Sequence, residues 1–206
     1  MKILITGFEP FAGSAINPSQ LLIKAFETQH KVNDNLYTCL LPVDTNNAPI
    51  KLIDSLDFYQ PDAVVCLGQA TGRALISLEK VAINLLNFRI PDNQGNKIED
   101  QPIVQDAPVA YFSTLPIHKL HQAITASGIP CEVSYSAGTY LCNQVFYILM
   151  HHIASNGLLT MAGFVHLPAL PEQVVGQGRD CPSMSLNIMR MAVDRIISTL
   201  NTNLFS

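Results

Sequence analysis

Residues 131–153 read CEVSYSAGTYLCNQVFYILMHHI, and their pattern decides the fold class. Residues 131–136 form a strand pattern, a turn of small residues follows, and residues 142–153 form an apolar helical pattern. The same alternation recurs along the chain. Residues 3–5 are a short apolar run that ends at Gly7. Asn17–Pro18–Ser19 then opens a helix, with Asn17 suited to the N-cap and Pro18 to the first helical position. Strands are expected over residues 36–41, 63–67 and 159–166, and helices over 49–58, from Pro116 onward, and over 184–200. Residues 74–104 interrupt the alternation with two extended pieces, 75–82 and 85–90, and a turn at 91–95. Strands alternating with helices imply an α/β fold: a single-domain, open, largely parallel twisted sheet with helices on both faces, spanning residues 1–206. In such sheets a ligand sits beyond the carboxyl ends of the strands. Gly7, Gly68, Tyr140 and His166 all fall at or just after strand ends, so one shared site is expected there.

Cys142 stands where the turn becomes a helix. A thiol at a helix N-terminus faces unpaired N–H groups and the positive end of the dipole, which lower a pKa otherwise near about 8.5. The same N–H groups could hold an oxyanion formed when the sulfur attacks a carbonyl. A nucleophilic thiol needs a base and a group that orients the base. His166 ends an apolar strand pattern just before Pro168, and Glu79 is set among apolar residues. Residue by residue, other readings stay open. Cys142 could be a small core residue, His166 a structural histidine, and Glu79 with Lys80 a solvated charge pair.

Four blocks carry a resemblance. They are MKILITGFEPFAGSAINPS (1–19), CLGQATGRALISLEKVAINLLNFRIPDNQG (66–95), SYSAGTYLCNQVFY (134–147) and GFVHLPALPEQ (163–173). In order and spacing they resemble the pyroglutamyl peptidases, or pyrrolidone-carboxylate peptidases, a family of cysteine exopeptidases. The resemblance implies Cys142 as nucleophile, His166 as base and acid, and Glu79 as the residue orienting the imidazole. It further implies that Phe8 and Phe11 line a pocket for the five-membered lactam ring, with Gln69 nearby. Ile90 sits where the family uses a backbone group to bind the lactam, and Tyr140 and Leu141 flank the ring. One departure is visible: Ala12 stands where the family usually has glycine, which is tolerable if its φ is negative. The implied reaction removes an N-terminal pyroglutamyl residue through an acyl-enzyme and needs no cofactor or metal. Two other readings remain: a different cysteine acyl-transfer amidase, and a non-catalytic module that binds a lactam or peptide.

Composition narrows the remaining classes. The chain has 206 residues, 48% hydrophobic and 14% charged, enough to bury one sizeable core. Its net charge of −4, the absence of Trp and the scatter of its basic residues argue against a nucleic-acid surface. No run reaches the roughly 18 apolar residues of a membrane span. The opening residues do not resemble a signal peptide. Five cysteines without close pairs suggest neither a disulfide framework nor a zinc knuckle, so a reduced, cytoplasmic setting is expected. His118 with His121, and the adjacent His151 and His152, are read as surface or helix-end residues without a metal. Low charge suggests apolar surface covered by a partner chain. The resembled family often forms homo-oligomers, commonly tetramers.

Overall fold

The computed structural model describes residues 1–29, 35–175 and 181–202. Six strands form the main sheet: β1 (Ile3–Phe8), β2 (Leu36–Leu41), β3 (Ala63–Gln69), β4 (Ile76–Glu79), β7 (Cys131–Ser134) and β8 (Met161–Leu167). Their order across the sheet is β2-β1-β3-β8-β4-β7. All neighbours are parallel except β4 and β8, which run antiparallel. A separate antiparallel pair joins β5 (Val81–Ile83) to β6 (Ala110–Phe112). The helices are α1 (Pro18–Gln29), α2 (Asn47–Tyr59), α3 (Ile117–Ala126), α4 (Leu141–Ser155), α5 (Pro171–Val174) and α6 (Leu186–Thr202). The expected mixed α/β architecture is present. The short β6 and α5 were not anticipated, and residues 85–90 make only an isolated bridge at Leu86 rather than a strand.

Strand alternation sorts the side chains into two cores. Ile3, Ile5, Val65, Leu67, Leu78, Val165 and Leu167 face one cluster, which α3 and α6 complete through Leu120, Ile124, Met189 and Val193. Leu4, Val64, Cys66, Ala162 and Phe164 face the other, closed by Leu52 of α2 and by Val145 and Leu149 of α4. The period of two therefore assigns each residue to a face before any long-range contact is considered. Phe8, Gly68, Glu79 and His166 share the parity of the second face, beneath α4.

The inverted strand β4 has a local cause. Only residues 70–75 separate β3 from β4. A parallel return needs a crossover of about a dozen residues or more, so a six-residue connection must reverse the chain. Ala70 N–H bonds Leu167 O at 2.9 Å and Arg73 N–H bonds Ala70 O at 3.1 Å, closing that turn. β4 then enters on the far side of β8, with Ser77 opposite His166 and Glu79 opposite Phe164.

The loop from β1 to α1 is fixed as its sequence foretold. Asn17 Oδ1 accepts the Ser19 N–H at 3.0 Å, and its Nδ2 donates to Glu9 O at 3.0 Å. Ala12 departs from expectation, because its φ is +53°, not negative. An L-residue in the left-handed region carries roughly 1 kcal/mol of strain that glycine would not. Ala12→Gly is therefore expected to raise Tm by about 2–4 °C in a thermal melt; a lower Tm would show that alanine's smaller unfolded-state entropy outweighs the strain.

Candidate active site

The residues named from sequence converge beside the N-terminus of α4. Tyr140 is the N-cap, so Cys142 is the second residue of the helix, and no side chain caps its N–H groups. Two buried amides anchor this helix. Asn143 Oδ1 accepts the Ile83 N–H at 3.0 Å while its Nδ2 donates to Ile83 O and Leu85 O. Gln144 Nε2 donates to Thr45 O at 2.9 Å, and its Oε1 accepts from the Thr45 hydroxyl. The preceding loop is tied to the residue 87 segment by Asn87 N–H to Thr139 O at 3.0 Å and Thr139 Oγ1 to Asn87 O at 2.8 Å. With helix and loop both pinned, the sulfur has little freedom.

Glu79 is 0% exposed and His166 4%. The imidazole Nδ1 lies 2.7 Å from Glu79 Oε1. A carboxylate can only accept, so Nδ1 carries the proton and Nε2 keeps its lone pair for a reacting group. The geometry is a diagonal cross-strand pair between β4 and β8 in their antiparallel register. Glu79 is thus no solvated partner of Lys80, whose ammonium lies over the Phe112 ring.

Arg73, which sequence reasoning did not single out, completes the group. Its Nη1 lies 2.6 Å from the same Glu79 Oε1, and its Nη2 donates to Ser136 O at 2.9 Å. A buried carboxylate six residues after an arginine, across a tight turn, was the available signal. Glu79 Oε2 is buried with no hydrogen-bond partner.

Two contiguous hollows meet at the sulfur. A tight one of about 40 Å³ is lined by Phe8, Phe11, Gln69, Tyr140, Leu141 and Cys142, together with Asn17 and Val43, which were not anticipated. A wider one of about 330 Å³ is bordered by Cys142, His166, Arg73, Arg89 and Ile90, among others. All nine residues named from sequence therefore border these hollows or, in the case of Glu79, stand directly behind His166. The Tyr140 hydroxyl donates to Pro91 O at 3.1 Å, and its ring meets Phe88 edge-on at 4.6 Å. These contacts hold the wall of the small hollow.

Protonation differs from the sequence expectation. Burial pushes the Cys142 thiol up to about 12, and the negative charge of Glu79 adds to this. Arg73 and the residue's own N–H pull the other way without prevailing. The helix terminus therefore does not produce a free thiolate, because desolvation is the larger effect. Burial also holds the His166 imidazole below its usual value. The Glu79 hydrogen bond opposes that shift, and the Arg73 cation assists it. Both shifts favour the uncharged forms, the thiol of Cys142 and the neutral imidazole of His166.

The other described histidines lie outside this site. His118 is exposed, His121 Nε2 is 3.2 Å from Cys131 O, and His151 Nδ1 is 2.9 Å from the Tyr111 hydroxyl. His152 lies 3.5 Å from Asp57. Among the described residues no group of three or more His, Cys, Asp or Glu is placed to hold a metal ion. None of the described helices is long and apolar enough to cross a membrane.

Gly68 makes a sharp test of how the thiol is seated. A Cβ there would lie 2.9 Å from Cys142 Sγ and 2.7 Å from Cζ of the buried Phe164 ring. Gly68→Ala is expected to lower kcat/KM about 100-fold by displacing the sulfur, with a stability loss of about 1–3 kcal/mol. Steady-state kinetics and a thermal melt measure the two effects. Kinetics matching the parent chain would mean the sulfur can move aside at no cost.

Comparison with known proteins places this geometry in a family. Residues 1–202 match the family model described as pyroglutamyl peptidase. The pyrrolidone-carboxylate peptidase of Vibrio parahaemolyticus is 47% identical over 188 residues, 91% of this chain and 87% of that protein. The Pyrococcus furiosus enzyme of the same name is 42% identical over 97% of this chain and 100% of its own length. Among solved structures, a mutant pyrrolidone carboxyl peptidase from P. furiosus superposes with a TM-score of 0.93 at 43% identity, covering 100% of both chains. Pyroglutamyl peptidase I of Bacillus amyloliquefaciens gives 0.90 at 38% identity, covering 96% of this chain and 95% of its own. With the match running through every segment that builds the site, the chain belongs to the pyroglutamyl peptidase family and is a cysteine peptidase of the pyroglutamyl-peptidase I type.

Proposed function

We propose that this chain removes N-terminal pyroglutamyl residues from peptides by covalent catalysis, with Cys142 as nucleophile, His166 as proton carrier and Glu79 as the group that orients the imidazole. The observation that carries this reading is the 2.7 Å bond from His166 Nδ1 to the buried Glu79, beside a hollow that both His166 and Cys142 border. Family membership supplies the substrate class.

The mechanism follows from the protonation state. The thiol starts neutral, so His166 Nε2 takes the Cys142 proton as sulfur attacks the pyroglutamyl carbonyl. The oxyanion is held by the uncapped N–H groups at the start of α4. The imidazolium formed is stabilised by Glu79 and then protonates the departing amine. Water attacks the thioester next, giving its proton to His166, and the returning sulfur regains a proton as pyroglutamate leaves. Residues 1–206 act as one domain in this scheme, and no cofactor enters it.

The small hollow and the adjoining wider one together suit the lactam. Phe8, Phe11, Tyr140 and Leu141 wall a flat five-membered ring. The Gln69 amide and the backbone at Ile90 are the polar groups offered to its N–H and C=O. A pocket built on such bonds rejects a proline ring, which lacks the lactam carbonyl and leaves those groups unpaired. This is the feature that sets a pyroglutamyl peptidase apart from a general amidase or a simple binding module.

The chain acts as a homo-oligomer, in keeping with its large exposed apolar side chains. Phe58, Val109, Phe112, Tyr135 and Leu159 are all at least 67% exposed. A tetramer and a cytoplasmic setting complete this reading.

Release of a fluorogenic amine from a pyroglutamyl amide, under reducing conditions, tests the proposal. Turnover is expected from the parent chain and none from Cys142→Ser, with His166→Ala lower by roughly 10⁴-fold. Glu79→Gln is expected to lose less than either, because orientation is only part of the catalysis. No turnover by a folded, reduced parent chain would sink the reading, and activity on prolyl or glutaminyl amides equal to that on pyroglutamyl amides would point to another acyl-transfer enzyme.

A further inference from the structure

The geometry points to Arg73 as a positioning residue that holds Glu79 against His166 and ties that pair to the loop carrying the nucleophile. This inference rests on the proposed triad and adds a member to it. Three observations support it independently of one another. Arg73 Nη1 and His166 Nδ1 converge on a single carboxylate oxygen, Glu79 Oε1, at 2.6 and 2.7 Å. Glu79 Oε2 is buried without a partner, so these two bonds and their charges are what hold this carboxyl group in place. The other arm of the guanidinium reaches Ser136 O at 2.9 Å, in the turn that leads through Gly138 and Thr139 into α4. Ser134 Oγ, at 3.4 Å from Nη1, adds a weaker contact from β7.

The planar fork of an arginine suits this double task. One nitrogen satisfies the carboxylate while the other grips a carbonyl in a fixed direction, which a lysine ammonium cannot reproduce. Arg73 also borders the wider hollow, so its charge is felt by the reacting groups. The charged and titratable groups facing the Glu79–His166 pair are Arg73 from the turn before β4, Cys142 from α4 and Arg89 across the hollow. Cys66 of β3 lies beside Cys142 and adds to the upward push on its thiol. Arg73 disfavours an extra positive charge on His166 and favours a negative one on Cys142. Removing the cation therefore raises the pH at which each group loses its proton, which fixes the sign of the expected shift.

The test compares Arg73→Gln, Arg73→Lys and Arg73→Ala with the parent chain, after circular dichroism has established that each is folded. Two readouts are taken: the pH profile of kcat/KM on a pyroglutamyl amide, and the rate of Cys142 alkylation by iodoacetamide at one fixed pH, which needs no turnover. In Arg73→Gln the acid limb of kcat/KM is expected to move up by about one pH unit, and alkylation of Cys142 at the fixed pH to slow about tenfold. Its kcat should fall about 100-fold with KM changed less than about threefold, since the loss is in positioning rather than binding. Arg73→Lys keeps the charge, so its profile and alkylation rate should stay in place while kcat falls about tenfold through loss of the Ser136 contact. Added guanidinium should restore part of the activity of Arg73→Ala. Folded neutral variants with an unmoved profile and an unchanged alkylation rate would overturn the inference, as would an Arg73→Lys variant whose profile and rate shift like those of Arg73→Gln. The two readings fail separately: a parent chain without turnover removes the triad mechanism, while the alkylation rates at fixed pH still decide whether Arg73 governs the electrostatics of the site.

Discussion

A carboxylate buried out of reach of water is the constraint around which this site is built. Burying an unpaired charge costs several kcal/mol, and breaking a buried pair costs about 3–5 kcal/mol. Glu79 is fully buried, yet both of its close partners meet one oxygen, Oε1. The chain offsets the desolvation of Glu79 with an arginine on one side and a histidine on the other. In doing so it fixes the imidazole's tautomer and the path of the loop before α4. Orientation of the imidazole and local stability thus come from the same atoms.

That carboxylate reaches His166 from the reversed strand β4. Had β4 followed β3 as another parallel strand, a helix would have to intervene, and Glu79 would sit on a different strand neighbour or at the wrong level. The connection of residues 70–75 is too short for a crossover, so the chain turns back and pairs with β8 in the opposite sense. The turn that reverses the strand also presents Arg73 to the carboxylate. A single local economy of chain length thereby places two of the four polar groups of the site.

The competition at Cys142 shows why magnitudes decide such questions. A helix N-terminus contributes about 0.3–1 kcal/mol to a nearby charge, up to about 2 in a partly buried setting. Desolvation of a thiolate in an apolar pocket shifts a pKa by as much as 3–5 units, several times that energy. Gly68 stands so close that a Cβ there would lie 2.9 Å from the sulfur, and burial is the largest influence on the thiol. In the proposed reaction the thiol is activated only when His166 takes its proton.

Much of this was legible in the one-dimensional pattern, for reasons that are local. The continuous apolar run of 63–67 and the apolar stretch of 159–166 read as buried strands. Asn17–Pro18–Ser19 requires a helix start, because capping depends only on neighbouring backbone groups. The sequence blocks around Glu79, Cys142 and His166 marked the polar residues that now border or support one hollow. What the pattern could not carry is anything set by pairing between distant segments. β6 is three residues long and exists only because β5 offers it a partner. Ala12 takes a positive φ because the loop ends are held by β1 and the Asn17 cap, not because of its own preference. The sense of β4, the role open to Arg73 and the protonation of Cys142 belong to the same class. Strand sense depends on which neighbour accepts the strand, and protonation depends on how much water the packed fold excludes. Local chemistry therefore determined which residues could act, and tertiary packing alone decided how they face one another and in what charge state they wait.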